Sequence, residues 1–195
     1  GLGSFSAPKL ITGPAAPSAM IAGDFTENGI TDLLVASSKG NTVSLLRNLG
    51  NATFQIGTPI SLTGTPGRMK SGDFDIDGDL DFAVSLADRT VRIWKNQGTG
   101  TFGDSASVAT ADTVNSMFAV DMDEDGYLDL VTPLGNGDIT VLINDANGVF
   151  TDSVVIDNQP GIGVAVAGDL NGDSNPRFLV VRESRTGSQI DTITE

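Results

Sequence analysis

A nine-residue acidic stretch recurs through this chain at an almost fixed interval, and no other feature restricts the fold so strongly. The two fullest copies are Asp73-Phe74-Asp75-Ile76-Asp77-Gly78-Asp79-Leu80-Asp81 and Asp121-Met122-Asp123-Glu124-Asp125-Gly126-Tyr127-Leu128-Asp129. A softened copy, Asp24-Phe25-Thr26-Glu27-Asn28-Gly29-Ile30-Thr31-Asp32, precedes them. A decayed one, Asp169-Leu170-Asn171-Gly172-Asp173-Ser174-Asn175-Pro176-Arg177, follows. The leading aspartates stand 49, 48 and 48 residues apart. A fixed period of this size belongs to solenoids, propellers and repeat arrays, in which one supersecondary unit is stacked several times.

The stretch itself suits a hard cation. Side-chain oxygens stand at its first, third, fifth and ninth places, and a glycine at the sixth lets the chain turn sharply. Such a loop wraps six to eight oxygens around calcium at roughly 2.3–2.6 Å. It resembles the first half of an EF-hand loop but closes three residues sooner. An apolar run begins at once, as in Leu128–Val131, so the loop leads into a strand and not a long helix.

In the second and third loops the expected side-chain ligands are Asp73, Asp75, Asp77, Asp81 and Asp121, Asp123, Asp125, Asp129. The seventh residues, Asp79 and Tyr127, would add backbone carbonyls. The first loop offers Asp24, Thr26, Asn28 and Asp32 with the Ile30 carbonyl, a weaker set because two ligands are neutral. The fourth offers Asp169, Asn171 and Asp173, but Arg177 stands where the closing aspartate should be and opposes an ion. Calcium is therefore expected at two loops and at up to four.

Charge supports this reading. The net charge is −14, and twelve of the 25 acidic residues occupy ligand places. Four bound divalent ions, each +2, would bring −14 to −6. The acidic balance excludes nucleic acid as a partner, and no apolar run reaches the ~20 residues of a membrane helix. Cysteine and histidine are absent, which removes disulfides, thiolate metal sites and Ser-His-Asp chemistry. Weak calcium sites are useful where calcium is abundant, so the expected location is extracellular or at the cell surface. The chain opens on Gly1 without a leader and is read as processed or excerpted.

Each period carries four strand-length segments. The first precedes the acidic loop (Ser18–Gly23, Arg68–Gly72, Ser116–Val120, Val164–Gly168). The second follows it (Leu33–Ala36, Phe82–Leu86, Leu130–Thr132, Phe178–Val181). The third is Thr42–Arg47, Thr90–Lys95, Ile139–Ile143 and Gln189–Thr194. The fourth begins at a marker phenylalanine, Phe54, Phe102 or Phe150, after an Asn/Gly-rich turn. Phe5 has the same place ahead of the first period. Four short strands per 40–50 residues make the blade of a β-propeller.

The ordered combination Gly72-Asp73-Phe74-Asp75, Asp77-Gly78, Asp81-Phe82-Ala83-Val84, then Thr90-Val91 with Ile93-Trp94, then Asn96-Gln97-Gly98 through Phe102 resembles an FG-GAP/VCBS-type repeat. The resemblance implies the calcium-binding propeller architecture of integrin α subunits and bacterial surface repeat proteins. The expected fold is thus all-β: four four-stranded antiparallel blades in one domain. Residues 1–17 hold a spare fourth strand, and 18–65, 66–113, 114–161 and 162–195 hold the blades. The last blade lacks a fourth strand, and the N-terminal strand is expected to complete it, in cis or from a neighbouring chain. Exchange between chains would give a dimer or a head-to-tail polymer.

The functional expectation is a calcium-stabilised, non-catalytic structural or adhesion module, a filament subunit if strands are exchanged. Its partner is then itself, or a surface protein or glycan. The alternative is a glycan-binding accessory domain of a secreted carbohydrate-active protein, and a third reading uses loop carboxylates for hydrolysis. Catalysis is disfavoured because the carboxylates recur in every period. Trp94 could stack on a sugar, but it aligns with Leu46 and Leu142, which favours packing between blades. Arg68 and Lys70 interrupt an inner strand; a solvated face is the default expectation, and the lining of a central channel the alternative. Asn51-Ala52-Thr53 is a glycosylation sequon in an exposed hairpin.

Overall fold

A computed structural model describes residues 9–51, 53–157, 162–168, 177–184 and 187–193. Every regular element among them is a β-strand. Each strand expected from Ser18 onward is present, with bounds that extend the expected segments by a residue or two in most cases. The first sheet contains β1 (Pro17–Gly23), β2 (Asp32–Ser37), β3 (Thr42–Asn48), β4 (Phe54–Ile56) and β5 (Ile60–Ser61). The second contains β6 (Pro66–Gly72), β7 (Asp81–Leu86), β8 (Thr90–Asn96) and β9 (Phe102–Ala109). The third contains β10 (Phe118–Val120), β11 (Asp129–Pro133), β12 (Ile139–Asn144) and β13 (Phe150–Asp157). The fourth contains β14 (Ile162–Gly168), β15 (Arg177–Ser184) and β16 (Gly187–Ile193).

Each sheet is an antiparallel meander in chain order. In the first, β4 and β5 share the fourth-strand place, both paired with β3. The break falls at Gly57-Thr58-Pro59, where proline has no N–H for the ladder. In the third sheet the inner strand is only three residues long, extended by an isolated bridge between Val114 and Leu134.

The apolar core lies between sheets, not within one. Phe25, Leu34, Ala36 and Val43 of the first sheet pack with Met69, Phe82, Val84 and Leu86 of the second. Phe74, Ala83, Val91 and Ile93 of the second pack with Met117, Leu130, Leu142 and Phe150 of the third. Period-two alternation explains how one strand serves two cores. In β7, Phe82 and Val84 point toward the first sheet, and Ala83 between them points toward the third. Strands covered on both faces must be apolar on both, which is why Asp81–Leu86 is buried throughout.

The inner strands follow one another, with β1 against β6, β6 against β10 and β10 against β14. Among the described residues no comparable contact returns from β14 to β1, so the sheets form an open array. The fourth sheet has three described strands. Residues 1–8 of the expected completing strand lie outside the described residues. Residues 9–12 carry no strand; they line a cavity of about 290 Å³ with Thr53, Phe54 and Ile56 of the first sheet. Trp94 packs into the core between the first two sheets, stacked on Phe82 at 6.2 Å with an interplanar angle of 7°. Arg68 is exposed and Lys70 half-buried.

Candidate metal centre

Each acidic loop joins the inner strand of a sheet to the next strand, and the first carboxylate folds it. Asp73 Oδ1 accepts the Asp77 N–H at 3.2 Å and its Oδ2 accepts the Gly78 N–H at 3.1 Å. Asp24 does the same for Asn28 and Gly29, at 3.1 and 2.7 Å. Asp121 Oδ2 accepts the Gly126 N–H at 2.9 Å. The bend needs left-handed backbone twice. Gly29, Gly78 and Gly126 supply it at φ of 77°, 98° and 94°. Glu27, Ile76 and Glu124 also take positive φ, at 54°, 55° and 60°.

The ninth carboxylate locks the loop to the third strand. Asp81 is fully buried; its Oδ2 accepts the Phe74 N–H at 2.9 Å and its Oδ1 the Asn96 N–H at 2.8 Å. Asp129 repeats this with Met122 and Asn144, at 2.8 and 2.9 Å. Asp32 accepts the Asn48 N–H at 2.7 Å and the Thr26 hydroxyl at 2.9 Å.

Among the described residues two groups of carboxylates could hold a metal ion: Asp73, Asp75 and Asp81, and Asp121, Asp123 and Asp129. Within each, the oxygens lie within 4.8 Å of one another. Asp77 and Asp125 stand outside these groups. Each instead accepts the N–H of the seventh residue, Asp79 or Tyr127, at 2.9 Å in an Asx turn. Asn28 caps Ile30 in the same way at 2.8 Å. The first loop has no third carboxylate, because Thr26 takes that place and its hydroxyl is already bonded to Asp32. Asp169, Asn171 and Asp173 lie outside the described residues. Asn51 is exposed, and Ala52 of its sequon lies outside the described residues.

The electrostatics fit a cation. Burial, opposed by the two backbone donors and reinforced by the charges of Asp75 and Asp77, pushes Asp81 up to about 7. Burial raises Asp129 likewise, opposed by its two backbone donors and reinforced by Asp123 and Asp125. At Asp77 the Asp79 N–H favours the ionised form, but burial and the charges of Asp75, Asp79 and Asp73 together raise the group. Glu27 of the first loop is raised by a hydrogen bond and repulsion from Asp79 of the second. The decisive observation concerns two atoms. Asp75 Oδ1 and Asp121 Oδ1 are buried and have no hydrogen-bond partner. An unpaired buried carboxylate oxygen is costly unless a cation meets it. Three carboxylates, all-oxygen chemistry and an orphaned oxygen in each group suit a hard divalent ion, which would supply the missing positive charge.

Two sets of residues had roles that the acidic pattern did not reveal. Asn96 Nδ2 donates to Phe25 O at 2.9 Å, across the boundary between the first and second sheets. Asn144 Nδ2 donates to Phe74 O at 2.8 Å, across the next boundary. Each also donates within its own sheet, to Leu80 O and Leu128 O. Their 48-residue spacing was the available signal, although the turn chemistry of asparagine hid it. The second set is the glycine before the first two leading aspartates, Gly23 and Gly72; Val120 stands there in the third repeat. A Cβ at Gly23 would lie 2.7 Å from Leu80 Cδ1, and one at Gly72 3.0 Å from Leu128 Cδ1.

No curated protein matches the chain. A family model described as FG-GAP-like repeat matches residues 24–84 and again residues 73–132. The two matches overlap in the second acidic loop and together cover more than half of the sequence, including all three described loops. Loop, strand order and intersheet packing agree with that match: the chain belongs to the FG-GAP-like repeat family.

Proposed function

We propose that this chain is a calcium-stabilised, non-catalytic module of the structural or adhesion kind, working outside the cell or at its surface. The observation that carries the calcium reading is the pair of buried, unbonded oxygens, Asp75 Oδ1 and Asp121 Oδ1, each inside a group of three carboxylates. The family match supports a module of this type. No helix among the described residues is long and apolar enough to cross a membrane. Calcium counted after equilibrium dialysis against millimolar calcium tests the reading. At least two ions per chain are expected, and one fewer in Asp123→Ala. A wild-type chain that retains none would refute it.

We also propose that the module docks onto a second copy of itself, through the face of the first sheet turned away from the second. Met20, Met69 and Met117 hold equivalent places in the three described repeats. Met69 and Met117 are 9 % and 7 % exposed, because a preceding sheet covers them; Met20 is 62 % exposed. Asn48 has the within-sheet bond of its counterparts, to Thr31 O at 3.0 Å, but no acceptor across a boundary. The exposed patch at Met20, beside the buried Val35 and Ser44, is the part of this face that would continue an interface the chain already builds twice. Among the described residues its own fourth sheet does not reach this face. The fourth sheet of another copy is the occupant proposed, by completed docking or by exchange of the N-terminal strand.

A further inference from the structure

We infer that Lys95 is a tethered cation that lowers the metal affinity of the second loop and straps that loop to the third sheet. The inference rests on the calcium reading above. Lys95 is the penultimate residue of β8. Its Nζ lies 3.1 Å from Asp75 Oδ2, with side chains only 27 % and 16 % exposed. The same Nζ donates to the carbonyl of Asn147, in the turn between β12 and β13. That turn presses on the lysine. A Cβ at Gly148, where φ is +63°, would lie 2.9 Å from Lys95 Cε and 3.7 Å from Asp75 Cβ. Glycine there allows the third sheet's turn to close over the second loop.

Equivalent positions differ in the other repeats. In the first, Arg47 is exposed, and the loop's third place holds uncharged Thr26. In the third, the position is Ile143, which packs beside Val131, Ile139 and Val141 and brings no charge. The second and third loops thus match in ligand sequence but not in counter-charge. An ion bound by Asp73, Asp75 and Asp81 must share Asp75 with the ammonium or expel it. Repulsion in the first case, or a lost ion pair in the second, lowers affinity by about tenfold. In return the bend is partly neutralised without metal, and the boundary between the second and third sheets gains a cross-link. The third loop has no such internal cation among the described residues and depends more on the ion.

Calorimetric calcium titration of the whole chain, with Lys95→Met and Lys95→Gln variants, tests this. With the other sensitiser removed by Trp94→Phe in every sample, terbium emission sensitised by Tyr127, the single tyrosine, reports the third loop separately. The wild type is expected to show a tighter and a weaker class of site. Both variants should tighten the weaker class about tenfold and leave the Tyr127-sensitised midpoint unchanged. Lys95→Arg should keep the weak class. Lys95→Gln retains a donor for Asn147 O, so it reads the charge even if Lys95→Met disturbs the turn. Unchanged affinities in both neutral variants, or equal tightening of both classes, would overturn the role of Lys95 and leave the calcium reading standing. A wild type that binds no calcium would overturn both.

Discussion

At the scale of single residues, the ninth aspartate of each loop has two tasks that compete. In the second and third loops it accepts two backbone N–H groups that fix the loop, and it lends charge to a site where like charges crowd. Without metal, burial wins and Asp81 titrates at about 7 instead of its ordinary 3.8. The sign of the pH effect follows. A carboxyl raised in the folded state contributes stability that is complete below its unfolded pKa and is lost as pH rises through the folded one. Metal-free protein should therefore resist urea better at pH 5 than at pH 8. With saturating calcium the slope should reverse, because protons then compete with the ion for Asp81 and Asp129. Urea midpoints across that range, with calcium and with chelator, check both signs. A slope of the same sign in both conditions would contradict this assignment.

At the scale of elements, the strands were legible because short apolar runs, turn residues and acidic loops recur in one order. Phe82–Leu86 reads as a buried strand for the reason it is buried: a neighbouring sheet covers each face. What the pattern concealed were the links between sheets. Asn96 and Asn144 look like turn residues in sequence, yet their amides cross to Phe25 O and Phe74 O. A contact between residues about 70 apart leaves no local trace. The candidate site was legible in part. The first, third and ninth carboxylates converge, and Asp77 and Asp125 each hold one oxygen in an Asx turn. Spacing alone could not show these Asx turns, and Lys95 lies on a strand outside the loop motif.

These links rank the asparagines. Replacing Asn96 or Asn144 by alanine leaves buried carbonyls on two sheets without their donor, at a cost of about 2 kcal/mol each. Asn48→Ala loses only the within-sheet bond and should cost about 1 kcal/mol or less. Chemical denaturation of the three variants measures the difference. Equal losses at all three positions would remove the intersheet role.

At the scale of the whole molecule, the core is built from boundaries, so each sheet depends on its neighbours. On the outer face of the first sheet Met20 is exposed, although Val35 and Ser44, in line with it across the sheet, are buried. Sedimentation at rising concentration should show self-association in calcium that Met20→Glu weakens at least about tenfold, since a charge would then be buried unpaired. Association unchanged by that substitution would place the contact elsewhere.

The central claim is that cations held in the acidic bends stiffen the array. Thermal unfolding of one sample, in 10 mM calcium and then in chelator, tests it most directly. Two sites with Kd on the order of 10⁻⁴ M would add about 5 kcal/mol at that concentration, and so raise the midpoint by about 10–20 °C. Identical midpoints in the two conditions would contradict the account.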